Sequence, residues 1–214
     1  MEKREFARRR KRLMDIAGRG AIVIQPTAPE RIRNRDVYYP FRPDSDFYYL
    51  TGFAEPEAVA VLVPDRPQGE FILFCRERDD EAETWHGRRA GLEGACELYG
   101  ADDAFPITDV DDILPGLIEN KERIYFTMGR YAEFDQRLVS WLNRVTSKGR
   151  AGVHAPDQFV SLGHTVHEMR LFKSSQELKA MRKAASISAA AHRRAMAACK
   201  PGMREYQVEA ELLH

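Results

Sequence analysis

Two carboxylates near the start of the chain are the first candidates for chemistry. Asp44 and Asp46 flank Ser45, just before an aromatic segment. Carboxylates this close can serve as an acid–base pair or as metal ligands, and side chains two apart in an extended segment face the same way. Pro40 and Pro43 precede them, however, and an Asp at such an entry commonly accepts the backbone N–H bonds of a turn. We therefore favour a structural, capping role for the pair.

The histidines do not form a recognisable metal motif. His164, His167 and Glu168 give the order H-x-x-H-E, whereas helical zinc motifs read H-E-x-x-H or H-x-x-E-H. His192 lies at helical spacing from apolar and small residues, which favours a packed core histidine over a ligand. We predict no metal ligand and no catalytic residue among these side chains.

Trp85 is the most conspicuous remaining side chain, in the polar segment 83–89 (ETWHGRR). A tryptophan in such a predicted loop either folds back onto the core or faces a partner, and the sequence leaves both readings open. The acidic and histidine residues near the end (Glu209, Glu211 and His214) point in different directions on a helix, so we interpret them as surface or domain-packing residues. The sequence contains no glycine-rich phosphate loop, Ser/His/Asp order or C-x-x-C pair.

The pattern along residues 1–148 predicts an α/β domain with a mixed sheet. Helices are expected at 3–17, 90–99, 109–119 and 131–145, and strands at 21–24, 47–51, 58–63, 70–75 and 123–128. Strands that alternate with helices are typical of this class. We interpret the basic run at 8–12 as a solvated helix face.

The later part of the chain predicts a connector and two helices. Residues 149–166 are rich in Gly, Pro, His and small side chains, and we expect at most one short strand there. Ser174 and Glu177 form an S-x-x-E capping box for a helix that runs to about residue 198, where Lys-Pro-Gly ends it. A last helix, 203–214, has no stop signal. We expect a second domain to begin near residue 174 and to be incomplete within this chain.

Composition excludes several classes of protein. The 214 residues contain 33 basic and 33 acidic side chains, so no global field favours nucleic acid or an anionic membrane. No apolar run approaches the roughly 20 residues that span a bilayer. The basic N-terminus lacks the apolar stretch of a secretory signal, and the three scattered cysteines indicate reduced structural thiols. We expect a cytoplasmic protein.

Four segments together resemble aminopeptidase P, the Xaa-Pro aminopeptidase family. They are YYPFRPDSDFYYLTGFAEPEAV (38–59), ETWHGRRAG (83–91), GHTVHEMRLFKSSQELKAMRKAA (163–185) and AHRRAMAACKPGMREYQVEAEL (191–212). The blocks cover nearly the whole chain in the expected order. The resemblance implies an N-terminal α/β domain of the creatinase type at 1–173, followed by the first helices of a truncated "pita-bread" catalytic domain at 174–214.

The resemblance also implies a chemistry that this chain does not complete. Family members release the N-terminal residue from Xaa-Pro peptides with water activated by two manganese ions per subunit. Their ligands, two Asp, one His and two Glu, lie later in the family pattern than the last block here. We therefore expect this chain alone to bind no metal and to be inactive.

Three residues match positions near the family's substrate cleft. Trp85 resembles a tryptophan that reaches a neighbouring subunit's pocket, and Asp36 and Arg150 resemble charged residues at the cleft edge. The resemblance implies proline-containing peptides as substrates and a homo-oligomer, a dimer or tetramer, with no nucleic-acid or membrane partner. Two alternatives stay open: a non-catalytic N-domain used for oligomerisation or binding, and a prolidase restricted to Xaa-Pro dipeptides.

Overall fold

A six-stranded mixed sheet organises the first of two units, residues 2–169, in the computed structural model, which describes residues 2–214. The elements in chain order are α1 (Lys3–Ala17), β1 (Ala21–Pro26), β2 (Ile32–Asn34), β3 (Val37–Tyr38), α2 (Ser45–Thr51), β4 (Val59–Leu62), β5 (Phe71–Cys75), α3 (Asp80–His86), α4 (Gly91–Tyr99), β6 (Asp103–Pro106), α5 (Val110–Ile118), β7 (Arg123–Phe126), α6 (Ala132–Ser147), β8 (Gln158–Ser161) and α7 (Leu162–Leu171). The strand order is β6-β5-β4-β1-β7-β8, and β2 and β3 form a separate hairpin.

The central strand β1 shows why the sheet must be covered on both faces. All its residues are buried, and it pairs antiparallel with β4 and parallel with β7. Because side chains alternate along a strand, Val23 enters one hydrophobic core and Ile22 and Ile24 enter the other. One core is closed by α1, α2, α4 and α7, and the other by α5 and α6. The predicted mixed α/β sheet flanked by helices is confirmed.

The aromatic segment after Asp44 is a helix, α2, and the strand predicted at 47–51 is wrong. The Asp44 carboxylate accepts hydrogen bonds from two amides of the first turn, and Gly52 ends the helix in the left-handed conformation. Phe47 and Leu50 are fully buried three residues apart, on one side of the helix. Burial of that side outweighs the β propensity of the aromatic residues.

Several other elements depart from the sequence-based prediction. The connector 149–166 contains the one short strand that was allowed for it, β8, but also the start of α7, which was not predicted. This helix carries Leu162, Val166 and Met169 into the core at helical spacing. The segment predicted as a loop around Trp85 is α3. The β2–β3 hairpin and strand β6 were not predicted.

The basic run on α1 is only partly solvated. Arg9 and Arg10 are 3% and 4% exposed, which contradicts the interpretation of residues 8–12 as a solvated face. The Arg10 guanidinium lies 4.0 Å from the ring centre of Phe71, and its Nη1 donates to the backbone oxygen of Leu50 at 3.0 Å. Arg9 likewise covers the ring of Tyr49 at 4.1 Å and donates to that residue's backbone oxygen at 3.0 Å. The two arginines satisfy carbonyls at the C-terminal end of α2.

The second unit, residues 170–214, contains two helices, α8 (Ser175–Ala198) and α9 (Glu205–Leu213). The predicted capping box is confirmed: the Ser174 hydroxyl accepts from the Glu177 amide, and the Glu177 carboxylate accepts from the Ser174 amide. Glu211 of α9 pairs with Arg194 of α8 at 2.7 Å. His192 is exposed, so its predicted place in a core is wrong in this structure.

Replacing Arg10 tests the contribution of the buried arginines. Arg10→Ala removes the donor to Leu50 and the group stacked on Phe71, so we expect the free energy of unfolding to fall by about 2–4 kcal/mol. Arg12→Ala, an exposed neighbour in the same basic run, serves as the control and should change it by less than about 0.5 kcal/mol. Urea unfolding followed by circular dichroism measures both, and equal losses would contradict the role assigned to Arg10.

Candidate functional site

The candidate site lies where the parallel strands β1, β7 and β8 end. The carboxyl ends of parallel strands meet at one edge of a sheet, the place where α/β folds usually bind ligands. Three segments converge on this edge: the start of α2, the turn between β7 and α6, and α7. They bring together Asp44, Asp46, Arg130, Tyr131 and His167.

Asp44 is the N-cap of α2, which confirms the predicted capping role. Its Oδ1 accepts from the amides of Asp46 at 2.8 Å and Phe47 at 3.1 Å. Its Oδ2 accepts from the Tyr131 hydroxyl at 2.9 Å. Gln25, the penultimate residue of β1, donates to the same carboxylate at 3.4 Å. The side chain therefore joins α2 to the sheet and to α6.

Arg130 bridges the two carboxylates. Its Nη2 lies 3.0 Å from Asp44 Oδ2 and its Nη1 lies 2.8 Å from Asp46 Oδ2. Both aspartate side chains are 1% exposed, whereas Arg130 is 35% exposed and so presents part of its guanidinium to solvent. Burial opposes the charge of Arg130, but the hydrogen bond to Asp46 and the two negative charges outweigh it and raise the arginine pKa.

His167 completes the network from α7. Its Nε2 lies 3.2 Å from Asp46 Oδ2, and its side chain is 63% exposed. Within residues 2–214 no three His, Cys, Asp or Glu side chains come close enough together to hold a metal ion. The carboxylates are instead engaged with an arginine, a tyrosine hydroxyl and a histidine. These contacts link the start of α2, the turn after β7 and α7 to one another. They also occupy the carboxylates of Asp44 and Asp46, which are therefore not free for proton transfer.

A groove of about 860 Å³ adjoins the network through Tyr131. Its walls come from the residues after β1, the β2–β3 hairpin and the start of α6, including Thr27, Arg31, Tyr38 and Phe134. Burial, reinforced by the bond to Asp44, raises the pKa of Tyr131 to about 12, so the phenol is protonated at neutral pH. Tyr131 is thus a fixed donor between the groove and the buried carboxylates.

The three residues predicted from the sequence lie on separate elements. Trp85 is on α3 and is 80% exposed, Asp36 is in the β2–β3 turn, and Arg150 is in the short 3₁₀ segment Gly149–Ala151. All three are exposed, and within residues 2–214 no hydrogen bond or ion pair joins any two of them. None of them lines the groove. Within this chain the structure does not assemble them into one site.

The sequence did not indicate the partners of the aspartates. Arg130 is 84 residues from Asp46 along the chain, and His167 is 121 residues away. The available signal was positional: Gly129 and Arg130 follow a predicted strand, where α/β folds collect functional side chains. That signal could have suggested Arg130, but nothing local linked it to Asp44 and Asp46.

Two family models match the chain. The model described as Aminopeptidase P, N-terminal domain matches residues 6–125, and the model described as Metallopeptidase family M24 matches residues 179–214. In the described part of the chain, no helix combines the length and apolar character needed to cross a membrane.

Individual proteins match over the full chain. The Xaa-Pro aminopeptidase of Escherichia coli (strain K12) is 40% identical, over 100% of this chain and 49% of its own length. Among solved structures, Pseudomonas aeruginosa aminopeptidase PepP has a TM-score of 0.97 and 56% identity, covering 100% of this chain and 48% of that one. Zinc-substituted E. coli aminopeptidase P in complex with product has a TM-score of 0.95 and 40% identity, over 100% and 49%. The chain spans about half the length of the curated relatives it matches.

Replacing Tyr131 by Phe should reveal its alkaline titration. Because the folded-state pKa is about 12 and the ordinary value is 10.0, the stabilisation by the protonated phenol is complete below pH 10 and is lost as pH rises through 12. We expect Tyr131→Phe to lower the free energy of unfolding by about 1–2 kcal/mol near pH 8. The difference from the unmodified protein should shrink between pH 10 and 12. Denaturant titrations across this range measure it, and a difference that does not change with pH would refute the assignment.

Proposed function

Because the chain belongs to the aminopeptidase P family, we propose that it is the N-terminal part of a metallopeptidase that releases the first residue from Xaa-Pro peptides. The observation that carries this proposal is the order of the two family matches, an aminopeptidase P N-terminal domain at 6–125 followed by the start of an M24 metallopeptidase at 179–214. The 40% identity to the E. coli enzyme across the whole chain supports the same proposal. We assign residues 1–173 to the N-terminal domain and 174–214 to the beginning of the catalytic domain.

We propose that the metal is held outside this chain. Among residues 2–214 no group of three or more His, Cys, Asp or Glu side chains is placed to hold a metal ion. In the complete protein we expect two manganese ions, held by the part of the family pattern that follows, to lower the pKa of the attacking water. On this proposal the 214-residue chain alone is inactive.

The role proposed for this chain is to shape access to the substrate. Trp85, with 80% of its side chain exposed on α3, is available to a peptide or to a second subunit. We assign Trp85, Asp36 and Arg150 to the edge of the cleft that receives proline-containing peptides, with Trp85 serving a neighbouring subunit of a dimer or tetramer. The free thiols of Cys75 and Cys96 accord with the reducing cytoplasm, where we place the protein. The balanced charge gives no reason for a nucleic-acid or membrane partner.

Peptide hydrolysis by the complete protein tests the function and its alternatives. We expect release of the first residue from a tripeptide with proline second, and none from the same tripeptide with alanine second. A chelator should abolish the release, and added manganese should restore it. Cleavage confined to Xaa-Pro dipeptides would replace the proposal with a prolidase, and absence of hydrolysis with any metal would favour a non-catalytic binding module.

Trp85→Ala tests the proposed contact with substrate. In the complete enzyme we expect KM to rise or kcat to fall by about fivefold or more, because a large exposed contact surface is lost. Leu98→Ala, which truncates an apolar side chain that is 64% exposed on α4, is the control and should leave both constants unchanged. Thermal unfolding and oligomeric state should match the parent protein for both variants. Unchanged kinetics for Trp85→Ala would remove this residue from the site.

A further inference from the structure

The segment 77–90, which carries α3 and Trp85, is not held in place by a hydrophobic core. None of its residues is buried, and the Trp85 side chain is 80% exposed. An isolated helix of fewer than about 12 residues is marginal in water, and α3 has 7 residues. The position of the tryptophan therefore depends on polar contacts that fix this segment.

The two ends of the segment lie close together. Arg89 Nη1 donates to the backbone oxygen of Glu77 at 3.3 Å. A Cβ added to Gly91 would lie 2.6 Å from Cγ of Arg78, so the backbone that follows the segment touches a side chain near its start. Surface segments closed in this way are typical of Ω loops. The orientation of such a loop is set by whatever holds its ends.

Glu55 holds the returning end of the loop. Among residues 2–214 it is the one side chain outside 77–90 that forms a hydrogen bond with this segment: its Oε1 accepts from the Ala90 amide at 2.7 Å. Ala90 lies between Gly87 and Gly91, which have φ angles of 84° and 65°. Because glycine adopts many backbone conformations, a fixed point between the two restricts the path of the returning chain.

Glu55 is itself well fixed. It lies in the connection from α2 to β4, between Phe53, which is 0% exposed, and the buried Pro56, and its own side chain is 18% exposed. Arg76 Nη2 lies 3.8 Å from Glu55 Oε2, which allows attraction between the charges but exceeds a hydrogen bond. Oε1 is therefore left to the Ala90 amide, and hydrogen bonds to a charged acceptor are about twice as strong as neutral ones.

We propose that Glu55 is a positioning residue for Trp85. Its carboxylate fixes Ala90 and thereby the orientation in which α3 presents the tryptophan. The effect on the loop is independent of the proposed function, whereas the effect on catalysis rests on it. Capping of α4 is the alternative role, but α4 has buried residues of its own, Gly91 and Ala95, and the loop has none.

Hydrogen–deuterium exchange of the complete protein tests the effect on the loop. Glu55→Ala should speed exchange at least tenfold in peptides from 80–87, and it should leave peptides from 94–99 unchanged. Glu55→Gln keeps an oxygen that accepts from Ala90, so its exchange should stay within about threefold of the parent. Glu57→Ala removes a neighbouring carboxylate that makes no hydrogen bond to the loop, and it should exchange as the parent does.

A second variant removes the donor in place of the acceptor. Ala90 has φ −64°, which proline adopts, so Ala90→Pro deletes the amide hydrogen without straining this residue. It should speed exchange in 80–87 as Glu55→Ala does, and it decides the question alone if Glu55→Ala does not fold. Exchange equal to the parent in both variants, or an equal rise in 94–99, overturns the proposal.

A double-mutant cycle in the complete enzyme tests the effect on catalysis. With an Xaa-Pro tripeptide, Glu55→Ala should change the same kinetic constant as Trp85→Ala by at least threefold, and Glu55→Gln should restore it. The double variant should lose no more than Trp85→Ala alone, because Glu55 acts through the tryptophan. Losses that multiply overturn the positioning role. A protein that hydrolyses no Xaa-Pro peptide, or that is unaffected by Trp85→Ala, refutes the proposed function of Trp85, and the exchange measurement then decides on Glu55.

Discussion

The bridge from Arg130 to Asp44 and Asp46 is the contact on which the candidate edge of the sheet depends. Two carboxylates that are 1% exposed are costly to bury unless a cation and hydrogen-bond donors lie close by. Arg130 supplies both, from a turn 84 residues away from Asp46. The start of α2, the end of β7 and, through His167, α7 are thereby fixed relative to each other. Removing the arginine would leave two charges buried, which costs more than the pair gains by forming.

This bridge also explains why the most reactive-looking residues of the sequence are not available for chemistry. Asp44 accepts two backbone amides and the Tyr131 hydroxyl in addition to Arg130. A general base needs a carboxylate within reach of substrate, and a metal needs several free ligands that converge. The aspartates offer neither, because they are engaged and buried. Trp85 on α3, by contrast, is 80% exposed and therefore open to another molecule.

The sequence predicted the elements whose signals are local and missed those fixed by distant contacts. The capping box at Ser174 and the short apolar strand at 21–24 depend on neighbouring residues, and both predictions are confirmed. The strand predicted in place of α2 was wrong because aromatic residues favour strands in isolation. The N-cap formed by Asp44 and burial against the sheet make this segment helical. At the candidate site the capping role of Asp44 was predictable. Its link to Arg130 was not, since no pattern within one sequence relates residues that far apart.

The arginines of this chain differ in how many of their guanidinium N–H groups have a hydrogen-bond partner. Arg10 is stacked on Phe71 and donates to a carbonyl at the end of α2, so its buried charge stabilises the fold although burial lowers its pKa to about 10. Arg130 is satisfied by two carboxylates and holds an edge of the sheet together. Arg76, Arg89 and Arg123 each retain a buried Nε–H without a partner among residues 2–214, although Arg76 is 16% exposed and Arg130 is 35% exposed. Depth of burial therefore does not decide how completely an arginine of this fold is satisfied. What decides it is whether a helix end, as for Arg10, or a pair of carboxylates, as for Arg130, lies within hydrogen-bond distance of the guanidinium.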